Sequence, residues 1–213
     1  VLDKAGMVET TDYKLNGIIG DDKLLKREYI CQYNESDFDF ISRLMENEGV
    51  FYYFEQSSSG EAIVFLNDQN YEDPLDPKLI FDVATQDNCV FGWSCRKQRL
   101  PQTLVVRDYN PDMPSSDVSK TTTIDDKGQG TEYIYGKNVK TESEASYLSQ
   151  LRAEGHICRQ TEFFGESSVA RLQAGHCFEL NKHPNGSYNN IEYLVIEVNH
   201  EGYGLDMSKS STG

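Results

Sequence analysis

Between Ser36 and Leu66 the hydrophobic period of this chain changes abruptly, and any fold must accommodate that change. Phe38, Phe40, Ile41, Leu44 and Met45 recur at helical spacing. Ser36, followed three residues later by Asp39, resembles a capping box, with a hydroxyl accepting from an orphan amide and a carboxylate near the positive helix end. Gly49 sits where a left-handed C-terminal cap belongs. The spacing therefore predicts a helix over 36–48. Immediately after it, Val50-Phe51-Tyr52-Tyr53-Phe54 is an unbroken run of β-formers. A turn-like Gln56-Ser57-Ser58-Ser59-Gly60 and a second run, Ala62-Ile63-Val64-Phe65-Leu66, follow. Neither run alternates with polar residues, so the pair reads as a hairpin buried on both faces or nearly so, with the helix covering one of them.

The rest of the chain is mostly strand-like. Glu28 to Tyr33 alternates as a short strand. Residues 67–82 read as a loop with Pro74 and Pro77. From Asn88 the period is two: Cys89, Phe91, Trp93 and Cys95 share one face, opposite Asn88, Gly92, Ser94 and Arg96. In an extended strand Cys89 and Cys95 lie roughly 20 Å apart, beyond the roughly 7 Å reach of a disulfide, so both read as core thiols. Thr103 to Tyr109 is a strand closed by Asn110-Pro111 and Pro114. Ser115 to Gly130 reads as a polar, mobile loop, and Thr131 to Tyr135 as a strand. Thr141 caps a second helix with Glu144 at the capping-box position; Ala145, Leu148, Leu151 and Arg152 line its face, and Gly155 is expected to end it. Cys158 to Phe164, Cys177 to Leu180 and Ile191 to Val198 read as strands, the last two joined by a loop with Pro184 and Asn185-Gly186. The segment around Gly17, Ile18, Ile19 and Gly20 lacks a nucleating pattern, and 203–213 reads as a flexible end. Two helices and about nine strands place the chain in the α+β class, mainly β.

The formal net charge of −15, from 20 basic and 35 acidic residues, disfavours nucleic acid and anionic membrane faces as partners. Five cysteines in no tight framework (31, 89, 95, 158 and 177) fit free thiols better than a disulfide scaffold. No stretch approaches the roughly 18 apolar residues of a membrane span, and no leader pattern opens the sequence.

Several constellations suggest chemistry and fail on spacing. Asp37, Asp39, Glu46 and Glu48 flank a cap and a polar helix face, without the burial that separates the pKa values of catalytic carboxylates. His156, Cys158, His176 and Cys177 have metal-ligand types, but His176 and Cys177 are neighbours in a strand and point oppositely, and no C-x2-C pair anchors them. His200 with Ser167-Ser168 or Ser57-Ser58-Ser59 lacks a nucleophile elbow. Gly128-Gln129-Gly130 lacks the flanking strand and helix of a phosphate cradle. The aromatic run 51–54 could stack sugars or bases, but Ile63, Val64 and Phe65 opposite it favour core packing. No catalytic, cofactor-binding or metal residues are expected, and the positions of any protein interface are unknown from sequence.

Read in order, Arg27-Glu28-Tyr29, Gln32-Tyr33, Glu35 through Phe40, Ser42 through Gly49 and Phe51 to Phe54 resemble the signature stretch of the VgrG (valine-glycine repeat protein G) family. Val105 through Pro111, the helix through Leu148, Leu151 and Arg152, Gly165-Glu166-Ser167, Leu172 through Gly175, Glu192 through Ile196 and His200-Glu201-Gly202 continue the resemblance in order. It implies the hub of a type VI secretion spike, related to contractile phage tail hubs and not an enzyme, that adapts a hexameric tube to a trimeric needle. The implied architecture is a remnant of one hub barrel at 1–27, a helix plus β-hairpin subdomain at 28–82, and a second β-barrel with one covering helix at 83–202. Residues 203–213 would lead to a missing C-terminal spike. The implied partners are two further copies of the full-length chain, a hexameric tube protein and secreted effectors. The implied location is assembly in the bacterial cytoplasm and export without a signal peptide. A phage-tail or extracellular contractile-particle hub is the near alternative. A carbohydrate-binding or cell-wall hydrolase accessory domain is the alternative from a different class; the sugar binding or cell-wall turnover it would require is not expected.

Overall fold

The computed structural model describes residues 1–15, 27–57, 60–67 and 78–202. Gly17 to Gly20, Pro74, Pro77, the hairpin tip at Ser58-Ser59 and the 203–213 end lie outside them. The described strands, in chain order, are β1 (Tyr13–Leu15), β2 (Phe51–Ser57), β3 (Gly60–Leu66), β4 (Lys78–Ile80), β5 (Val90–Lys97), β6 (Thr103–Asp108), β7 (Val118–Thr123), β8 (Thr131–Tyr135), β9 (Thr161–Ser167), β10 (Cys177–Asn181) and β11 (Ile191–Leu194). The α-helices are α1 (Asp37–Glu48) and α2 (Glu142–Cys158). The chain is thus mostly β with two α-helices among the described residues. The strands form four sheets, ordered β1-β3-β2, β11-β10-β4, β5-β9 and β7-β6-β8, and the barrel implied by the resemblance is not closed among them.

Two compact units divide the chain: residues 1–70 with 93–165, and 71–92 with 166–213. In the first unit, α1 begins as its sequence predicts. Ser36 Oγ accepts from the Asp39 amide at 3.1 Å and donates to the Asp39 carboxylate at 2.7 Å. Gly49, at φ 71°, closes the helix by donating to Met45 O. The two runs pair as an antiparallel hairpin, with Tyr53 opposite Val64 and Phe54 opposite Ile63. Burial on both faces holds for one of its two strands and not for the other. β3 is central, between β1 and β2, and carries buried Val64, Phe65 and Leu66, whereas the outer strand β2 leaves Phe51 and Phe54 exposed. The hairpin meets α1 at Phe38, whose ring lies edge-on to Tyr52 at 6.4 Å, and no α1 residue is buried. The C-terminal end of α1 is held by α2: Tyr147 Oη donates to Glu48 O, and Arg152 donates to Glu46 O and Asn47 Oδ1.

The main core of this unit lies under α2. Leu100, Leu104, Val106, Val118, Ile124, Val139, Ala145, Leu148 and Ala153 form one buried cluster. β6 pairs antiparallel with β7 and parallel with β8, and α2 packs on β6 and β7. Each buried Leu or Val side chain here is worth about 1.5–3 kcal/mol relative to exposure. β7 lies inside the segment read from sequence as a mobile loop. Its Ser-Lys-Thr run becomes a strand because β6 offers a hydrogen-bonding edge and Val118 and Ile124 anchor its ends in the core. Thr141 and Glu144 cap α2 as predicted, but the helix runs through Gly155 to Cys158. A helical glycine costs only about 1 kcal/mol against alanine, and the last turn is tied by His156 to Glu132 of β8 at 2.8 Å.

Glu28 to Tyr33 forms no strand. Tyr29, Ile30 and Tyr33 are exposed, and among the described residues no strand pairs with them. Cys158 ends α2, and β9 begins at Thr161. β5 keeps the predicted alternation over Trp93 to Arg96: Trp93 stacks on Phe163 at 5.4 Å, and Arg96 reaches out to pair with Glu162. In the second unit β10 pairs parallel with β4 and antiparallel with β11, over buried Leu79, Phe178, Leu180 and Tyr193. β11 stops at Leu194, and Ile196 and Val198 are exposed rather than in a strand.

Candidate interaction surface

The sheet β7-β6-β8 has two unlike faces. Leu104 and Val106 of β6 point toward α2 and are fully buried. The opposite face presents Val105 and Arg107 from β6, Ser119 and Thr121 from β7, and Tyr133 and Tyr135 from β8. Tyr133 is 74% exposed and Tyr135 68% exposed. The ladder sets Arg107 between Ser119 on one side and Tyr135 on the other. Where β6 ends, the chain turns through Tyr109, 57% exposed, and Met113, 52% exposed.

Buried hydrogen bonds build that turn. Asn110, 3% exposed, donates to Lys140 O at 3.0 Å and accepts from the Asp112 amide at 2.9 Å. The Asp108 carboxylate accepts from the amides of Tyr109 and Val139, at 2.8 and 3.1 Å. Asp108 is therefore consumed in holding the backbone. The turn and the sheet edge enclose an open cleft of about 540 Å³, walled by Arg107, Tyr109, Ser115, Ser116, Asp117 and Tyr135. The Arg107 guanidinium has no hydrogen-bond or ion-pair partner among the described residues.

The residues with chemical potential lie elsewhere and do not converge. Asp37 accepts from Gln32 and Asp39 from Ser36, both exposed on the first turn of α1. Glu48 pairs with Arg27 at 2.9 Å. The exposed Cys158 thiol donates back to Gly155 O. His176 is buried, with Nδ1 at 3.3 Å from Ala174 O. Burial pushes the Cys177 thiol up from its ordinary pKa, with Glu192 adding to the shift. No three His, Cys, Asp or Glu residues among those described are placed to hold a metal. His200 lies against Leu172 O at 2.9 Å, while the Ser167 and Ser168 hydroxyls bond to Cys89 O. Gly128 lies in an ordered turn, not a flexible loop. A Cβ there would sit 2.6 Å from Pro101 O, so the close backbone approach requires glycine. Of the cysteines, all free, Cys89 alone is buried; Cys95 and Cys177 are half-buried and Cys31 is exposed. In the aromatic run, Tyr53 is core, Tyr52 packs on Phe65 at 6.1 Å and meets the Phe54 ring edge-on at 5.8 Å, and Phe51 and Phe54 are partly exposed to solvent.

Sequence reasoning missed the Arg107 face. Tyr133 and Tyr135 read there only as strand-formers, and the one available signal was their position on alternate residues of a strand beside Val105-Val106-Arg107.

Comparison with known proteins bears on what such a surface serves. The profile of the phage tail baseplate hub (GPD) family matches residues 1–205. The chain is 30% identical over 187 residues to the Pseudomonas aeruginosa type VI secretion system spike protein VgrG5, covering 83% of this chain and 23% of that protein. It is 24% identical over 192 residues to the Vibrio cholerae actin cross-linking toxin VgrG1, covering 84% of this chain and 17% of the toxin. The chain thus spans about a quarter or less of these relatives. Among solved structures, the E. coli c3393 protein, a type VI secretion component, matches with a TM-score of 0.59 at 17% identity, over 91% of this chain and 40% of that one. The 43 kDa tail protein of prophage MuSo2 from Shewanella oneidensis matches with a TM-score of 0.57 at 15% identity, over 87% and 55%. No described helix is long and apolar enough to cross a membrane.

Proposed function

Because this chain belongs to the phage tail baseplate hub (GPD) family, we propose that it is the hub portion of a contractile-injection spike, adapting a hexameric tube to a trimeric needle. The observation that carries this reading is the extent of the family match, residues 1–205, which takes in the described residues of both compact units. The similarity to type VI spike proteins favours a secretion spike. In this reading the chain acts by assembly rather than catalysis. Residues 1–27 continue a preceding barrel, 28–82 form the helix-and-hairpin subdomain, and 83–202 contribute to a second barrel completed in the assembly. The intact protein is a trimer that forms in the bacterial cytoplasm, meets a tube protein and secreted effectors, and leaves with the contracting machine.

A phage-tail hub is the second reading, favoured by the nearly equal fold similarity to the prophage tail protein. One experiment tests the shared core of both: the mass of the intact protein in solution, together with its binding to the tube subunits of a type VI system and of a phage tail. A trimer that binds type VI tube is expected. Binding to the phage tube alone would favour the second reading, and a monomer that binds neither would refute the hub role.

A further inference from the structure

We infer that Asn185-Gly186, in the loop joining β10 to β11, is a deamidation site that the fold holds closed, so that it reacts only when the loop opens. Asparagine before glycine is the pair in which this chemistry is least hindered, because glycine places no Cβ beside the attacking backbone nitrogen. The Gly186 nitrogen adds to Asn185 Cγ and gives up its proton to water, and the Cγ–Nδ2 bond breaks to release ammonia. A five-membered succinimide remains. Water then opens it at either carbonyl, leaving aspartate or, with the main chain rerouted through Cγ, isoaspartate. Asn185, Gly186 and Ser187 are all exposed, so water reaches the site and burial gives no protection.

Conformation protects it instead. Ring closure requires the Gly186 nitrogen to lie beside Cγ, eclipsed with Cβ about the Cα–C bond. Asn185 has φ −81° and ψ 106°, which turns that nitrogen away from its side chain. The side chain is engaged as well: Oδ1 accepts from the Ser187 amide at 3.1 Å and from the Ser187 hydroxyl at 2.8 Å, capping the short 3-10 helix Gly186–Tyr188. The main chain is tied on both sides of the Cα. The Asn185 amide donates to His183 Nδ1 at 3.0 Å, and the His183 ring packs against Phe81 and Tyr188, with centroids 4.6 and 5.1 Å away. The Asn185 carbonyl accepts from the Tyr188 amide at 3.1 Å. Asn189 then closes the loop, accepting from the His183 amide at 2.7 Å and donating to His183 O at 2.9 Å. Asn185 cannot turn about ψ into the reactive geometry without breaking its cap.

Loss of ammonia makes the change permanent. Either product replaces a neutral amide with a carboxylate, and isoaspartate also adds a methylene to the main chain, so a chain carrying it cannot rebuild the cap. The loop thereby converts a transient opening into a lasting mark. That mark lies beside β11, whose Tyr193 hydroxyl donates to Tyr188 O at 2.9 Å.

The test incubates the purified intact protein at mildly alkaline pH, folded in buffer and unfolded in guanidinium chloride. Residue 185 is followed by peptide mass spectrometry, with aspartate and isoaspartate separated by chromatography. Two hydrogen bonds of ordinary net strength correspond to about 30-fold protection, so conversion should be about 30-fold slower in the folded protein than in the unfolded one. Ser187→Ala keeps the amide and removes the hydroxyl at an exposed position. It should shrink that ratio about fivefold with the melting temperature unchanged. A folded rate equal to or above the unfolded rate would overturn the inference, as would a ratio that Ser187→Ala leaves unaltered.

Discussion

The two helices begin alike and serve unlike purposes. α1 and α2 each start on a hydroxyl that accepts from the amide three residues on, Ser36 from Asp39 and Thr141 from Glu144. α2 then buries Ala145, Leu148, Ser149 and Ala153 against β6 and β7, while α1 buries nothing and is tied down at its C-terminal end. Caps determine where a helix starts, whereas burial determines how much of the fold's stability passes through it. The sharpest way to break this comparison is to truncate the same residue type in both. Leu148→Ala should cost about 3 kcal/mol, from lost transfer energy plus a cavity in the main cluster. Leu44→Ala, on the partly exposed α1, should cost less than about 1.5 kcal/mol. Urea unfolding monitored by circular dichroism measures both, and equal losses would mean that α1 is packed as tightly as α2.

The joint between the helices should show the next largest effect. Gly49 has a φ of 71°, and an added Cβ would sit 2.3 Å from Leu151 Cδ1 on α2. Gly49→Ala therefore combines left-handed strain of about 1 kcal/mol with displacement of a leucine side chain, for a total of about 2 kcal/mol. Leu151→Ala in the same chain should relieve the steric part and leave the strain. A double-mutant cycle by thermal unfolding reads the coupling, and strict additivity would mean that the two residues do not meet.

What the sequence disclosed follows the same division between local and tertiary causes. Ser36, Gly49, Thr141 and Glu144 act within a few residues of themselves, and both helix starts and the α1 stop were legible. The pairing of the two β-runs was legible too, because a short turn-like stretch of sequence joins them. β7 was not, since Ser119 to Thr123 has loop composition and becomes a strand only beside β6. Glu28 to Tyr33 shows the converse, an alternating segment that pairs with no strand among the described residues. Gly155 reads as a stop, but the turn beyond it is secured by Glu132, a residue on another element. The Arg107 face escaped for the same reason: strand-forming tyrosines look alike in sequence whether a core covers them or not. The burial of His176 was not legible either, because it depends on residues distant in sequence that pack over it.

Cap removal should be the change that treats the two helices alike. Ser36→Ala and Thr141→Ala each leave a first-turn amide without its side-chain acceptor, a loss of about 1 kcal/mol in either context. The losses should differ in where they appear. Without Thr141 the whole first unit should melt earlier, because α2 covers its core. Without Ser36 the α1 amides should exchange faster with little change in the melting temperature, because no core residue depends on them. Hydrogen exchange followed by mass spectrometry separates the two patterns, and a matching drop in melting temperature for both variants would argue that α1 carries core stability after all.

The smallest effect is electrostatic and belongs to α1. The Arg43 guanidinium hydrogen-bonds the Glu35 carboxylate at 2.6 Å and holds its pKa below the ordinary carboxylate value, while the Arg43 pKa is raised in return. A carboxylate whose folded pKa is depressed contributes stability above its unfolded value, about 4.3 for Glu, and that contribution is lost as pH falls through the folded one. The entry to α1 should therefore loosen as acid is added below about pH 4, while the α2 side keeps its packing. Both groups lie at the surface, so salt screens the pair and the effect should shrink in 1 M sodium chloride. Glu35→Gln should abolish the pH dependence of exchange at Asp37 to Phe40 with scarcely any change in global melting. If that variant instead lowered the melting temperature as far as loss of the Thr141 cap does, the α1 segment would have to be counted as part of the core that α2 covers.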